Sequence, residues 1–223
     1  MSVLDRIKAQ YLNDDEYVKE VTDKVQIYLH HTAGNGNPSA VVEDWNTDSR
    51  GRIATAIVIG NGKWSGEIVQ AFSTRYWGYH LGVKSSFFRE HEVPYKKLDA
   101  ISIGIELCAW GQLTEKGGKF YNYVNREVPK EEVTTLETPH KGYLHYHSYS
   151  DEQIKETEEL LKFWGEKYDI PLTYNDDIWD ITHRALKGEK GVFTHNSVRP
   201  DKVDTFPQPE LVQMLKALEN TNV

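Results

Sequence analysis

The segment Ile101–Leu107 (ISIGIEL) constrains the fold more than any other part of the sequence. It is dominated by isoleucine and is largely apolar, as in strands that lie inside a sheet with both faces covered. A sheet covered on both faces needs helices packed on either side of it. The segment therefore predicts an α/β fold, with a central mixed β-sheet flanked by helices.

Other segments supply the remaining elements of this fold. The clearest predicted helix is Asp151–Tyr168, where Ser150 and Gln153 form a capping box and apolar residues follow at helical spacing. The further predicted strands are 25–30, 54–59, 67–72 and 192–195, and the further predicted helices are 4–11 and 209–218. Because the chain has no internal repeat and no low-complexity linker, we expect one domain, 1–223. Within it we expect an N-terminal extension, 1–24, and a hairpin or surface insertion, 111–149.

Charge and cysteine content narrow the possible functions. The 223 residues carry 26 basic and 34 acidic side chains, and this net charge of −8 disfavours a nucleic-acid partner. The single cysteine, Cys108, excludes an intramolecular disulfide and a cysteine-rich zinc module. No apolar run approaches the ~20 residues of a membrane-spanning helix. The N-terminal segment lacks the apolar region of a secretion signal, so we expect synthesis in the cytoplasm.

Two histidines end predicted apolar strands, His30 before a glycine-rich loop and His195 before a charged loop that contains Asp204. Two imidazoles and one carboxylate, with a fourth position open, are a standard catalytic zinc set. The plainer alternatives are a strand-end histidine hydrogen-bonded to its loop and a solvated charged loop. Because adjacent strand residues face opposite ways, only one of His30 and His31 can face a metal, and we expect His30.

Two more segments carry candidate functional groups. Alternation along the central strand places Glu106 on the same face as Ser102 and Gly104. A carboxylate inside a sheet is costly unless a cation pairs with it, and burial without a cation would raise its pKa and suit it to general-base catalysis. The segment 77–82 (WGYHLG) predicts a loop that lines a groove, with Trp77 and His80 as substrate-binding residues.

Taken in order, these segments resemble the zinc amidase family that includes phage-lysozyme-type N-acetylmuramoyl-L-alanine amidases and peptidoglycan recognition proteins. The resemblance covers roughly residues 25–110 and 150–216. It rests on the opening strand 27–34, the loop 77–82 (with two extra residues between Trp77 and His80), the strand 102–107 and the closing segment His195, Arg199-Pro200 and Lys202-Val203-Asp204.

The resemblance implies that His30, His195 and Asp204 bind Zn²⁺, that Glu106 is the base and that Lys202 stabilises the oxyanion. The substrate would be peptidoglycan or a muropeptide, cleaved at the amide between N-acetylmuramic acid and L-alanine. Many family members carry a tyrosine near the active site, in the strand that corresponds to 54–59. This sequence has none there, which favours Glu106 as the base.

A single domain without a leader or a wall-binding repeat is typical of a phage or prophage endolysin, which we expect to be monomeric and to act on the cell wall after release. A cytosolic muropeptide-recycling amidase is one alternative. A non-catalytic peptidoglycan-binding module of the same fold is another. A zinc peptidase on a different scaffold is disfavoured, because no His-Glu-x-x-His helix motif is present.

Overall fold

The protein contains two β-sheets, and helices pack around the larger one. The structure is a computed structural model that describes residues 2–34 and 36–219. The strands of the described residues are β1 (Ile7–Ala9), β2 (Gln26–His31), β3 (Ile57–Ile59), β4 (Ile68–Gln70), β5 (Ser102–Leu107), β6 (Gln112–Lys116), β7 (Lys119–Tyr121), β8 (Glu127–Val128), β9 (Val133–His140), β10 (Tyr143–His147) and β11 (Gly191–Thr194). The α-helices are α1 (Val3–Arg6), α2 (Pro38–Trp45), α3 (Ser85–Glu90), α4 (Asp151–Tyr168), α5 (His183–Leu186) and α6 (Pro209–Leu218).

The larger sheet has six strands in the order β1-β4-β3-β5-β2-β11. Neighbours from β3 to β11 run parallel, whereas β4 is antiparallel to β3 and β1 is parallel to β4. The central strands β5 and β2 are almost entirely buried, as the apolar segment required. This arrangement confirms the predicted α/β fold with a central mixed sheet flanked by helices.

The parallel part of the sheet brings the ends of three strands to one edge. In the register between β2 and β5, His30 lies opposite Glu106, and β11 ends at Thr194, immediately before His195. The carboxyl ends of parallel strands lie at the same edge of a sheet, where α/β proteins commonly bind their ligands. The topology alone therefore brings His30, Glu106 and His195 together.

The N-terminus differs from its predicted helix, 4–11. A capping box between Ser2 and Asp5 begins the helix, but α1 ends after one turn at Arg6. The chain then becomes extended, and Ile7 pairs with Ile68 of β4 as an edge strand. Pairing with a distant strand overrides a short amphipathic pattern that could not sustain a helix alone.

Two other predictions about elements were incomplete. The strands predicted at 54–59 and 67–72 are shorter, since β3 and β4 contain three residues each. Helix α2 was not predicted, although Asn37 caps it with its side-chain oxygen and Pro38 occupies its first turn. Both residues are ordinary helix-start signals, so the sequence contained the evidence for α2.

The chain between β5 and α4 forms the smaller sheet, with strands in the order β8-β7-β6-β10-β9 and antiparallel neighbours throughout. Leu113, Phe120 and Val128 make its own small core, against which Trp110 and Val133 pack. Within the described residues, no helix combines the length and apolar character needed to cross a membrane.

Helix α4 begins at the predicted capping box, and its Gln153 also ties the helix to the large sheet. The Gln153 side chain accepts a hydrogen bond from the Ser150 amide at 3.1 Å. Its amide group donates to the carbonyl oxygens of Ile59 at 3.0 Å and Cys108 at 3.2 Å. Because Gln153 is fully buried, water cannot replace these bonds.

We expect Gln153→Leu to lower the free energy of unfolding by about 2–3 kcal/mol, since it removes three hydrogen bonds at a buried position. Ser150→Ala, which removes the other half of the capping box, should cost only about 1 kcal/mol. Urea unfolding followed by circular dichroism measures both values. Equal losses in the two variants would show that Gln153 acts only as a cap.

Candidate metal centre and active site

Three side chains converge at the carboxyl edge of the large sheet. Nδ1 of His30, on β2, lies 3.1 Å from Nδ1 of His195, which follows β11. Oδ2 of Asp204, in the loop before α6, lies 3.2 Å from the His30 nitrogen and 2.9 Å from the His195 nitrogen. In the described residues these three form the one group of at least three His, Cys, Asp or Glu side chains close enough to hold a metal ion.

A chain of hydrogen bonds behind His30 determines which of its nitrogens carries the proton. The Leu98 carbonyl can only accept, so the Ser102 hydroxyl donates to it at 2.8 Å. Ser102 Oγ then accepts from Nε2 of His80 at 2.9 Å, and Nδ1 of His80 accepts from Nε2 of His30 at 2.9 Å. Burial lowers the pKa of His30 to about 4 and that of His80 well below its usual value, so both rings are neutral at pH 7. Nδ1 of His30 therefore presents a lone pair.

His195 is oriented in the same way by a different partner. Its Nε2 donates to the Leu81 carbonyl at 3.0 Å, which leaves Nδ1 directed at His30 and Asp204. When both imidazoles are neutral, three lone pairs face one another with no hydrogen between them, a repulsive arrangement that a cation relieves.

The donor set also fits a specific kind of cation. Ligands of tetrahedral zinc, bound at about 2.0–2.1 Å, lie about 3.3 Å from each other. The three distances here, 2.9, 3.1 and 3.2 Å, are close to that value. Imidazole and carboxylate are ordinary zinc ligands, and hydrogen bonds from the remote ring nitrogens are the usual support for them. The residues present therefore fit a zinc ion with an open coordination position.

Glu106 contributes a carboxyl group to the same cavity. Its Oε2 atom is buried and has no hydrogen-bond partner among the described residues. Burial raises the pKa of this carboxyl well above its usual value, the negative charge of Asp204 raises it further, and Lys202 opposes the shift. An unpaired carboxyl with high proton affinity is suited to accepting and returning a proton.

Lys202 lies on the cavity wall, two residues before Asp204. The loop that carries both is attached to the opposite wall by Arg199, whose guanidinium donates to the carbonyls of Gly82 at 2.8 Å and Leu81 at 3.3 Å. Leu81 therefore accepts hydrogen bonds from both His195 and Arg199. The loop position and the His195 ring orientation thus depend on the same carbonyl.

The loop 77–82 lies beside the cavity, but the side chains that it presents there differ from those predicted. Trp77 does not line the cavity: it is 3% exposed, and its indole N–H donates to Glu20 at 3.1 Å. His80 touches the cavity, and its ring nitrogens bond to His30 and Ser102, which holds the His30 ring in place. Tyr79, between them and 46% exposed, is the aromatic residue of this loop that lines the cavity. The sequence pattern could not show which of the rings faces outward.

The remaining histidines near the site have partners of their own. His31 faces away from the cluster of three, and its Nδ1 lies 3.0 Å from the Tyr149 hydroxyl. His145 and His147, two apart on β10, do not converge. Nδ1 of His145 lies 2.9 Å from Thr135 Oγ1, and Nδ1 of His147 accepts from the Trp110 amide at 3.2 Å.

The cavity above these residues has a volume of about 440 Å³, within the range of small-molecule sites. Besides the residues already described, its lining includes side chains that the sequence analysis did not single out: Val41, Trp45, Arg50, Ile53, Trp110, Gln112, Tyr123 and Asp201. Asp201 precedes Lys202 in the segment before α6, and the others come from α2, from the loop after it, and from the smaller sheet with its connecting loops. Apart from Asp201, which lies within the closing segment, no local motif marks them, because only the fold brings them to the cavity.

A buried cluster of two histidines and an aspartate, with an unpaired carboxyl beside it, is typical of hydrolases that use a metal ion. The sequence matches the family described as N-acetylmuramoyl-L-alanine amidase over residues 23–207. The chain belongs to this family, and it is therefore an enzyme, an amidase that acts on peptidoglycan. No curated protein matches the sequence at a significant level.

Solved structures share the fold at low sequence identity. The PlyG catalytic domain is 12% identical with a TM-score of 0.54, covering 97% of this chain and 95% of that one. A selenomethionine derivative of AmpD is 14% identical with a TM-score of 0.53 and coverages of 96% and 94%. A mutant endolysin from Bacillus subtilis is 12% identical with a TM-score of 0.51 and coverages of 96% and 97%. At these identities the likeness concerns the fold.

We expect the hydrogen-bond chain to fix the proton of His30 on Nε2 in the metal-free protein at about pH 7. Two-dimensional ¹⁵N–¹H spectra of the imidazoles report the tautomer of each ring. In His80→Ala the tautomers of His30 should become mixed, because their selecting partner is gone. His195 keeps its Leu81 partner and serves as the internal control. A His30 proton on Nδ1 in the wild type would contradict the assignment.

Proposed function

We propose that this amidase is zinc-dependent and cleaves the amide bond between the lactyl group of N-acetylmuramic acid and L-alanine. The proposed zinc ligands are His30, His195 and Asp204. The observation that carries the proposal is the convergence of two Nδ1 atoms and a carboxylate oxygen within 3.2 Å of one another, with both remote ring nitrogens already bonded. Zinc held there would supply Lewis acidity at the scissile carbonyl and would acidify a water molecule.

Glu106 is proposed to move the protons of the reaction. Its carboxylate accepts a proton from the attacking water and returns it to the nitrogen of the leaving L-alanine, which would otherwise depart as an unstable amide anion. Burial gives the group the proton affinity that this exchange needs. Since its Oε2 atom is unpaired among the described residues, no internal bond must break first.

Lys202 is proposed to stabilise the negative charge that develops on the carbonyl oxygen. Its side chain lines the cavity on the loop that also holds Asp204. Among residues 2–34 and 36–219, no carboxylate forms an ion pair with its ammonium group. A cation that is already in place costs no reorganisation when the oxyanion forms, which makes it effective in the transition state.

We infer that the cellular role is that of an endolysin, which degrades the cell wall. Its support is the complete set of candidate catalytic groups on a fold shared with an endolysin from Bacillus subtilis. Assays on intact sacculi and on soluble anhydro-muropeptides test this role. Activity confined to the soluble substrate would instead indicate a muropeptide-recycling enzyme.

The zinc proposal is tested by metal analysis combined with product analysis. Protein purified with zinc present should contain about one zinc per chain, and peptidoglycan treated with it should gain new L-alanine amino termini. Removal of the metal by a chelator should abolish product formation, and zinc should restore it. His30→Ala is the control for loss of the site. Folded, zinc-loaded protein that releases no L-alanine termini would refute the proposal and would leave a binding module.

The two catalytic assignments predict different losses of activity. Glu106→Gln should lower kcat by about 10²–10⁴-fold, because the amide cannot exchange the proton. Lys202→Met should lower kcat by about 10²–10³-fold through loss of oxyanion stabilisation. Lys155→Met, at an exposed position on α4, is the matched control for removal of a lysine and should keep full activity. Near-normal kcat in either site variant, with zinc bound, would remove that residue from the mechanism.

A further inference from the structure

The smaller sheet forms one wall of the catalytic cavity. Trp110, Gln112 and Tyr123 from this part of the chain line the cavity that also contains His30 and Glu106. Trp110 follows the end of β5 by three residues, so the wall begins next to the strand that carries Glu106. Tyr123 is 65% exposed, although it lines the cavity, so its ring is open to a ligand.

The two aromatic side chains are held in place by the smaller sheet. Trp110 packs against the core of that sheet, the Arg126 guanidinium lies 5.6 Å from the centre of its ring, and the Tyr123 ring lies 6.3 Å from it. Tyr123 belongs to a tight loop between β7 and β8. In that loop the side-chain oxygen of the buried Asn122 accepts a hydrogen bond from the backbone N–H of Arg126 at 2.8 Å, and the backbone N–H of Asn122 donates to the Arg126 carbonyl at 3.0 Å. A structured loop presents the Tyr123 ring at low cost in conformational entropy.

The walls of the cavity differ in charge. Every charged side chain of the lining lies outside the smaller sheet: Arg50, Glu106, Arg199, Asp201, Lys202 and Asp204. The smaller sheet, with its β7–β8 loop and the segment that leads into β6, contributes the rings of Trp110 and Tyr123 and the amide of Gln112, which carry no charge. The two sides of the scissile bond differ in the same way, because the stem peptide carries carboxylates and the glycan carries hydroxyl and acetamido groups.

We propose that Tyr123, supported by Trp110, forms a saccharide subsite in which a sugar ring of the glycan stacks on the tyrosine face and Gln112 offers hydrogen bonds to its polar groups. This inference rests on the proposed function and deepens it, since it assigns the glycan side of the substrate to the smaller sheet. Flat aromatic faces bind the apolar face of a sugar ring, and neighbouring amides satisfy its hydroxyl groups.

The subsite is tested with a muramoyl tripeptide that carries or lacks the neighbouring N-acetylglucosamine, and with the same disaccharide on a shortened peptide. Tyr123→Ala should raise KM for the disaccharide tripeptide about three- to tenfold and leave kcat within about twofold. Tyr123→Phe should restore the wild-type KM, because stacking needs the ring and not the hydroxyl. Val124→Ala, at the next residue of the loop, which is also exposed, is the matched control.

Comparing the KM effect of Tyr123→Ala on these substrates distinguishes binding of a sugar from binding of the peptide at this wall. The KM effect of Tyr123→Ala should shrink when the second sugar is removed and persist when the peptide is shortened. An effect that follows peptide length, or an unchanged KM, would overturn the proposal.

A second experiment measures binding of the disaccharide tripeptide by calorimetry, in Glu106→Gln and in the double variant Glu106→Gln/Tyr123→Ala. This measurement does not depend on hydrolysis. Binding weakened by Tyr123→Ala supports the subsite even if the wild type cleaves nothing, an outcome that would refute only the proposed function. Binding unaffected by the substitution, or absent from both proteins, would refute the subsite.

Discussion

The hydrogen bonds behind the two candidate ligand histidines are the interaction on which the site depends. Without the Leu98–Ser102–His80 chain, His30 could carry its proton on either nitrogen, and Nδ1 would not be a reliable lone pair. Without the Leu81 carbonyl, His195 would be equally undetermined. The direct partners, His80 and Leu81, are adjacent residues of one loop, and Ser102 is the first residue of β5, so the fold positions these supporting groups along with the candidate ligands.

Three residues on one face of β5 contribute to this arrangement. Ser102 receives the His80 hydrogen bond, and Glu106 reaches the cavity at the end of the same strand. Gly104, between them, leaves the room that His80 occupies: a Cβ there would lie 3.0 Å from the His80 Nδ1 atom and 2.6 Å from a Thr55 methyl carbon. The candidate metal centre therefore depends on which residues alternate along this strand, Ser102, Gly104 and Glu106, and not only on the strand being buried.

Much of this could be predicted because the signals are local. The apolar strand, the capped helix α4 and the strand-end positions of His30 and His195 follow from periodicity and from capping chemistry. The direction of each ring in the loop 77–82 could not be predicted, because it depends on contacts with Glu20 and Ser102, which are distant in sequence. For residues 111–149 the sequence predicted only a hairpin or surface insertion and not a five-stranded sheet, since strands such as β6 and β9 are largely exposed and show little periodicity.

The smaller sheet lies beside the cavity, whereas the candidate catalytic groups lie outside it. The connection after β5 leaves the large sheet at the carboxyl edge, so residues added there lie beside the cavity. Gln153 bonds the start of α4 to the carbonyls of Ile59 and Cys108, which fixes the helix to the large sheet independently of the chain between them. At the junction, Gly111 has a φ of +76°, and a Cβ there would lie 2.6 Å from the His31 ring. His31 thus supports the wall on one side of the strand, while its neighbour His30 faces the candidate metal centre on the other.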